Sequence, residues 1–104
     1  MICWSITAHV VTHPDAGILD AGANTTYSEA NRSAGEAALV ALADLAVGYP
    51  SSCPFVTISI DDTPVLLAAA GKDARGNVQI ALLIDAVIEV RETGIAPPLA
   101  PTAW

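Results

Sequence analysis

A chain of 104 residues with eleven acidic and four basic side chains carries a net charge of −7, a length that supports one domain around one core. That charge argues against nucleic acid and anionic membrane as partners, because a phosphate surface is held by Lys and Arg, and it admits a basic protein. An apolar content of 53% beside 14% charged residues is high for so small a domain; alanine accounts for part of it, and a buried subunit interface would absorb more.

No basic region precedes Ile2, and no uncharged run free of Pro is long enough to span a bilayer, so a cytoplasmic location is expected. Cys3 and Cys53 fit no zinc or redox spacing. Reduced thiols are the expectation, with a disulfide between the first strand and the strand after the helix as the alternative.

Residues 2–12 alternate: Ile2, Trp4, Ile6, Ala8 and Val10 point to one side, Cys3, Ser5, Thr7, His9 and Val11 to the other, which is a strand with a clear core face. His13-Pro14-Asp15-Ala16-Gly17 reads as a turn, residues 18–21 as a short strand hairpinned to the first, and residues 22–32 as a loop. Ser33-Ala34-Gly35-Glu36 matches a capping box, predicting a helix over 34–47 whose Leu39, Leu42, Leu45 and Ala46 lie on the sheet.

Residues 55–60 alternate again, Asp61-Asp62-Thr63-Pro64 is a tight turn, and residues 65–70 form the returning strand. Residues 77–93 then read as one long strand. Val78, Ile80, Leu82, Ile84, Ala86, Ile88 and Val90 form an apolar even face, and Gln79, Asp85, Glu89, Arg91 and Thr93 sit at odd positions beside Ala81, Leu83 and Val87. The expected architecture is α+β: an antiparallel sheet of four to five strands with one helix on one face, in the order β-β-α-β-β-β, over residues 1–94. Residues 95–104, with Pro97, Pro98 and Pro101, form an extended tail.

No arrangement for catalysis emerges. His9 and His13 stand about 13 Å apart along a strand, too far to hold one metal ion directly. Asp85 and Glu89 are as far apart, outside the range of a glycosidase pair. The repeated Asp-Ala-Gly at 15–17 and 20–22 lacks the close ligand spacing of a calcium loop. No phosphate-binding glycine loop, nucleophile elbow or Cys-His couple occurs, and no cofactor or metal is expected.

What remains is the odd face of the sheet, where mixed aliphatic and acidic groups suit a protein interface. Phe55, Asp61, Asp62, Leu83, Asp85, Val87 and Glu89 are the candidate partner-binding residues, with Cys3, Ser5, Thr7 and His9 able to join them. From residue 5 to 92, the succession of a strand-rich start, a Ser-x-x-Glu-capped Ala/Leu helix, a strand at 55–60, an Asp turn, a strand at 65–71 and a final strand resembles the small acidic immunity proteins of the Imm1 type. Their glycine-rich strand turn stands here as Ala68-Ala69-Ala70-Gly71. The resemblance implies binding and blocking of a cognate toxin, and small acidic phage inhibitors of host defence share the same bulk properties.

The expected function is therefore an inhibitor of a basic protein partner: an immunity protein, antitoxin or anti-defence protein without catalytic activity. The alternatives are a homo-oligomeric structural or regulatory subunit, with a homodimer closing the apolar odd face, and a small-molecule-binding domain.

Overall fold

The computed structural model describes residues 1–94, apart from the side chains of residues 14–16, and the tail expected at 95–104 lies outside the described residues. Among the described residues six elements follow one another: β1 (Ile2–Val10), β2 (His13–Asn24), α1 (Tyr27–Gly48), β3 (Pro54–Ile60), β4 (Thr63–Ala69) and α2 (Ile80–Thr93). The chain thus runs strand-strand-helix twice. Its strands make one antiparallel sheet in the order β2-β1-β3-β4. The α+β class matches expectation, but the last element is a second helix rather than a fifth strand.

The width of the sheet explains why two helices are needed. Ile6, Ala8 and Val10 of β1, Val56, Ile58 and Ile60 of β3, and Leu66 and Ala68 of β4 with the following Ala70 are all buried. Four strands about 4.8 Å apart make a face wider than one helix, which is about 10 Å across, can cover. α1 packs over β1, β3 and β2, while α2 packs against α1 and β4. Within α2 the buried residues are Leu83, Ala86, Val87 and Val90, spaced i, i+3, i+4, i+7, and Asp85, Glu89 and Glu92 are exposed. Those three acids recur at helical spacing on the outer side, so the helical period and the period of two coexist in this apolar stretch. Burial of the helical set against α1 and β4 decides between them.

Two further boundaries differ from expectation. β2 takes in both the expected turn at 13–17 and the start of the expected loop; the reversal falls at Val11 and Thr12 instead, and Pro14 is accommodated because β2 is an edge strand. α1 begins at Tyr27, seven residues before the expected start. Its N-cap is Thr26, whose side chain accepts the Glu29 N–H at 3.2 Å, so Ser33 and Glu36 lie within the helix. Ala30, Ala34, Gly35, Ala38, Ala41, Leu42 and Leu45 form its buried stripe. The small side chains let α2 come close: a Cβ at Gly35 would stand 2.5 Å from Arg91 Cβ and 3.0 Å from its Cα.

The connection from β4 to α2 is organised by Asp73. Its carboxylate accepts the N–H groups of Arg75 at 2.8 Å and Asn77 at 2.9 Å, and the side-chain amides of Asn77 at 3.4 Å and Gln79 at 3.2 Å. These bonds, that of the Asn77 N–H foremost, hold its pKa below the ordinary carboxylate value. A depressed folded-state pKa contributes stability above the unfolded value that is lost as pH falls through the folded one. Asp73→Ala should therefore lower the melting temperature at neutral pH, and the gap from wild type should narrow below about pH 4. Thermal melts across that range check this.

Candidate functional site

Two surfaces stand out, one on each side of the sheet. The side away from the helices is open. Strand register lines its residues up in rows: Thr7 is partnered by Leu19 on β2 and by Thr57 on β3, and Thr57 by Leu67 on β4. The row Leu19–Thr7–Thr57–Leu67 reads the same from either edge. Beside it runs Ala21–Ser5–Ser59–Pro64, and His9 pairs with Phe55 and Phe55 with Ala69 on the other flank. Among the described side chains this face holds no Asp, Glu, Lys or Arg; Asp62 touches only its border, beside Cys3, Ser5, Ala21 and Ser59. Leu19 and Leu67, 74% and 65% exposed, flank a centre of Ser and Thr.

The second surface is a groove of about 370 Å³ between α1 and the edge of the sheet, on the helix side. It lies where α1 passes over β1 and β2, with helix residues on one side and strand residues on the other. Trp4, Ile18, Ala37, Val40 and Ala41 give it apolar walls, and Asp20, Glu36 and Asp44 line it with carboxylates. Trp4 is fixed there by its strand partner: the indole lies across Gly22, where a Cβ would approach the ring to 2.7 Å, and its Nε1–H donates to Asn24 Oδ1 at 3.1 Å. Glu36, Val40 and Asp44 recur every fourth residue along α1, a signal present in the sequence. The part played by Trp4 and Asp20 follows only from the pairing of β1 with β2.

The seven expected partner-binding residues divide among several places. Phe55 is half-buried on the open face, with its ring 5.2 Å from that of His9. Asp61 and Asp62 form the β3–β4 turn, both with positive φ (53° and 61°), as a tight hairpin of this hand requires. Tyr27 Oη donates to Asp61 Oδ2 at 2.8 Å, and this hydrogen bond, with the charge of Asp61, raises the tyrosine pKa. Leu83 and Val87, 2% and 0% exposed, are not on a binding face at all: as helix residues they point into the core. Asp85 and Glu89 lie exposed on the outside of α2, away from the sheet.

Both cysteines are free. Val11, at the far end of β1 from Cys3, donates its N–H to the Cys53 carbonyl, so the length of a strand separates the two thiols and a disulfide is ruled out. His9 faces Phe55, and the His13 ring lies 4.7 Å from that of Tyr49. Among the described residues no group of three His, Cys, Asp or Glu could hold a metal ion, and no helix is long and apolar enough to cross a membrane.

The fold thus defines a two-layer α+β domain, two helices on one face of a four-stranded antiparallel sheet. No protein-family model, curated protein or solved structure matches the chain.

Proposed function

We propose that the chain is a small acidic protein-binding inhibitor, of the immunity, antitoxin or phage anti-defence kind, that acts on a basic protein by occupying it rather than by catalysis. The observation that carries this reading is the groove beside α1, in which a half-buried aromatic and aliphatic lining is ringed by Asp20, Glu36 and Asp44. A Lys or Arg side chain entering it would meet carboxylates at the rim and the Trp4 ring within, the setting for a cation–π contact. This reading places the basic partner in the groove, and not on the open sheet face, where the described side chains offer no carboxylate except Asp62 at the border. The acidic character and the strand-strand-helix-strand-strand order support kinship with the small immunity proteins, while the terminal helix departs from the final strand of that pattern.

The test is affinity capture of a basic protein from the producing cell at low salt, followed by assay of that protein's activity as the chain is added. Inhibition at equimolar ratio is expected. Glu36→Lys with Asp44→Lys should weaken binding at least tenfold, chiefly through slower association, whereas Asp85→Lys with Glu89→Lys on α2 should change it little. A captured protein that keeps full activity, or one indifferent to the α1 reversals, overturns the proposal.

A further inference from the structure

The open side of the sheet points to a different occupant. We infer that this face docks a second copy of the same chain, two sheets meeting face to face around a twofold axis that lies between them. Three observations lead to a second copy instead of a foreign protein.

The first is charge. Two molecules that each carry −7 repel, so they can meet only where neither presents a carboxylate. Cys3, Ser5, Thr7, His9, Phe55, Thr57, Ser59 and their row partners make such a surface, with Asp62 at the border. Among the described side chains, a partner selected by charge would find only Asp62, at the border, to pair with.

The second is the palindromic row. A twofold axis parallel to the strands lays β2 of one copy over β4 of the other. Leu19 then meets the second copy's Leu67, and Thr7 meets its Thr57. A twofold contact sets each patch against itself, and a row that reads alike in both directions satisfies that condition without a mismatch. Leucine meets leucine at both flanks, and the threonines face each other across the middle, where hydroxyls can bond as both donor and acceptor.

The third is size and relief. Four strands about 4.8 Å apart and about seven residues long give a face of roughly 19 by 23 Å, or about 900 Å² flat over two copies. Corrugation of the side chains brings this near the lower end of interfaces that hold specific complexes, about 1,200 Å². Ser, Thr and Ala along the rows permit sheets to pack at the usual spacing of about 10 Å.

Sedimentation equilibrium of the intact chain is the test. A species of twice 10.6 kDa is expected, and its dissociation constant should fall as salt is raised, because screening removes the repulsion between two acidic copies. An interface made of ion pairs would respond in the opposite sense. Thr57→Lys should weaken self-association at least tenfold by placing a charge in the central row, with far-ultraviolet circular dichroism and melting temperature confirming that it folds. Asp85→Lys, on the outer side of α2, should leave the dimer in place. A monomer at every salt and protein concentration overturns the inference, as does a dimer unmoved by Thr57→Lys. Neither result bears on the groove beside α1, so this inference and the inhibitor reading fail separately.

Discussion

Val87→Asp should leave the chain without a stable fold at room temperature, while Leu82→Lys should melt within a few degrees of wild type. Val87 is fully buried and Leu82 is 67% exposed. A carboxylate at position 87 would be sealed against α1 and the sheet with no donor to satisfy it. A penalty above about 4 kcal/mol follows, a large share of the roughly 5–15 kcal/mol that holds a domain together. The pair also separates the two readings of residues 77–93. In a strand with its even face buried, Leu82 would be the sensitive position and Val87 the tolerant one. Circular dichroism melts of the two variants distinguish them.

The second large effect is a reversal of sign at glycine. In an exposed helix interior, Gly→Ala stabilises by about 1 kcal/mol. Gly35→Ala should instead destabilise by about 1–3 kcal/mol, because its methyl would enter the space of Arg91, where the nearest atoms include the backbone of α2 and the helices would have to separate. Gly48, the last residue of α1, has nothing within 4 Å of an added Cβ; Gly48→Ala should be neutral or mildly stabilising. Denaturant titration of both variants measures the contrast. Equal responses would mean that α1 and α2 do not approach as closely at residue 35 as described.

The strands β1, β3 and β4 were legible because each buries one face and leaves the other partly wet, so their sequences alternate. β2 was legible only in part. It is an edge strand of Ala, Gly and Asp, and its identity comes from pairing with β1. The start of α1 differs because the capping-box spacing of Ser33-x-x-Glu36 recurs at Thr26-x-x-Glu29, and it is the latter that stands at the helix end. The alanines at 30, 34, 38 and 41 continue the buried stripe back past Ser33, which favours the earlier start.

For α2, Gln79 and Arg91 share the odd positions with Asp85 and mask the helical spacing of 85, 89 and 92. Gln79 precedes the helix and is tied to Asp73. The expected site follows the same period of two. It set Leu83 and Val87 beside Asp85 and Glu89 on one face, whereas a helix places the first pair inside and the second outside. Pairing of β1 with β3 does bring Ser5, Thr7 and His9 onto the same face as Phe55, Thr57 and Ser59.

The place where β1 meets β3 is also the joint between the two strand-strand-helix halves. Each half has a local hairpin, closed at Val11–Thr12 in one and at Asp61–Asp62 in the other, and hairpins of this kind form in about 1–10 μs. The joint is far less local: Val10 finds Pro54 and Trp4 finds Ile60, partners 44 and 56 positions apart. Folding should therefore wait on the meeting of two preformed halves. During synthesis the first half emerges well before the second, and until residue 60 is free the strand destined for the middle of the sheet is an edge. Its unpaired N–H and C=O groups could recruit β1 of another nascent chain. The characteristic misassembly of this protein would then be an exchange of halves between chains, with every strand correctly paired but to the wrong molecule.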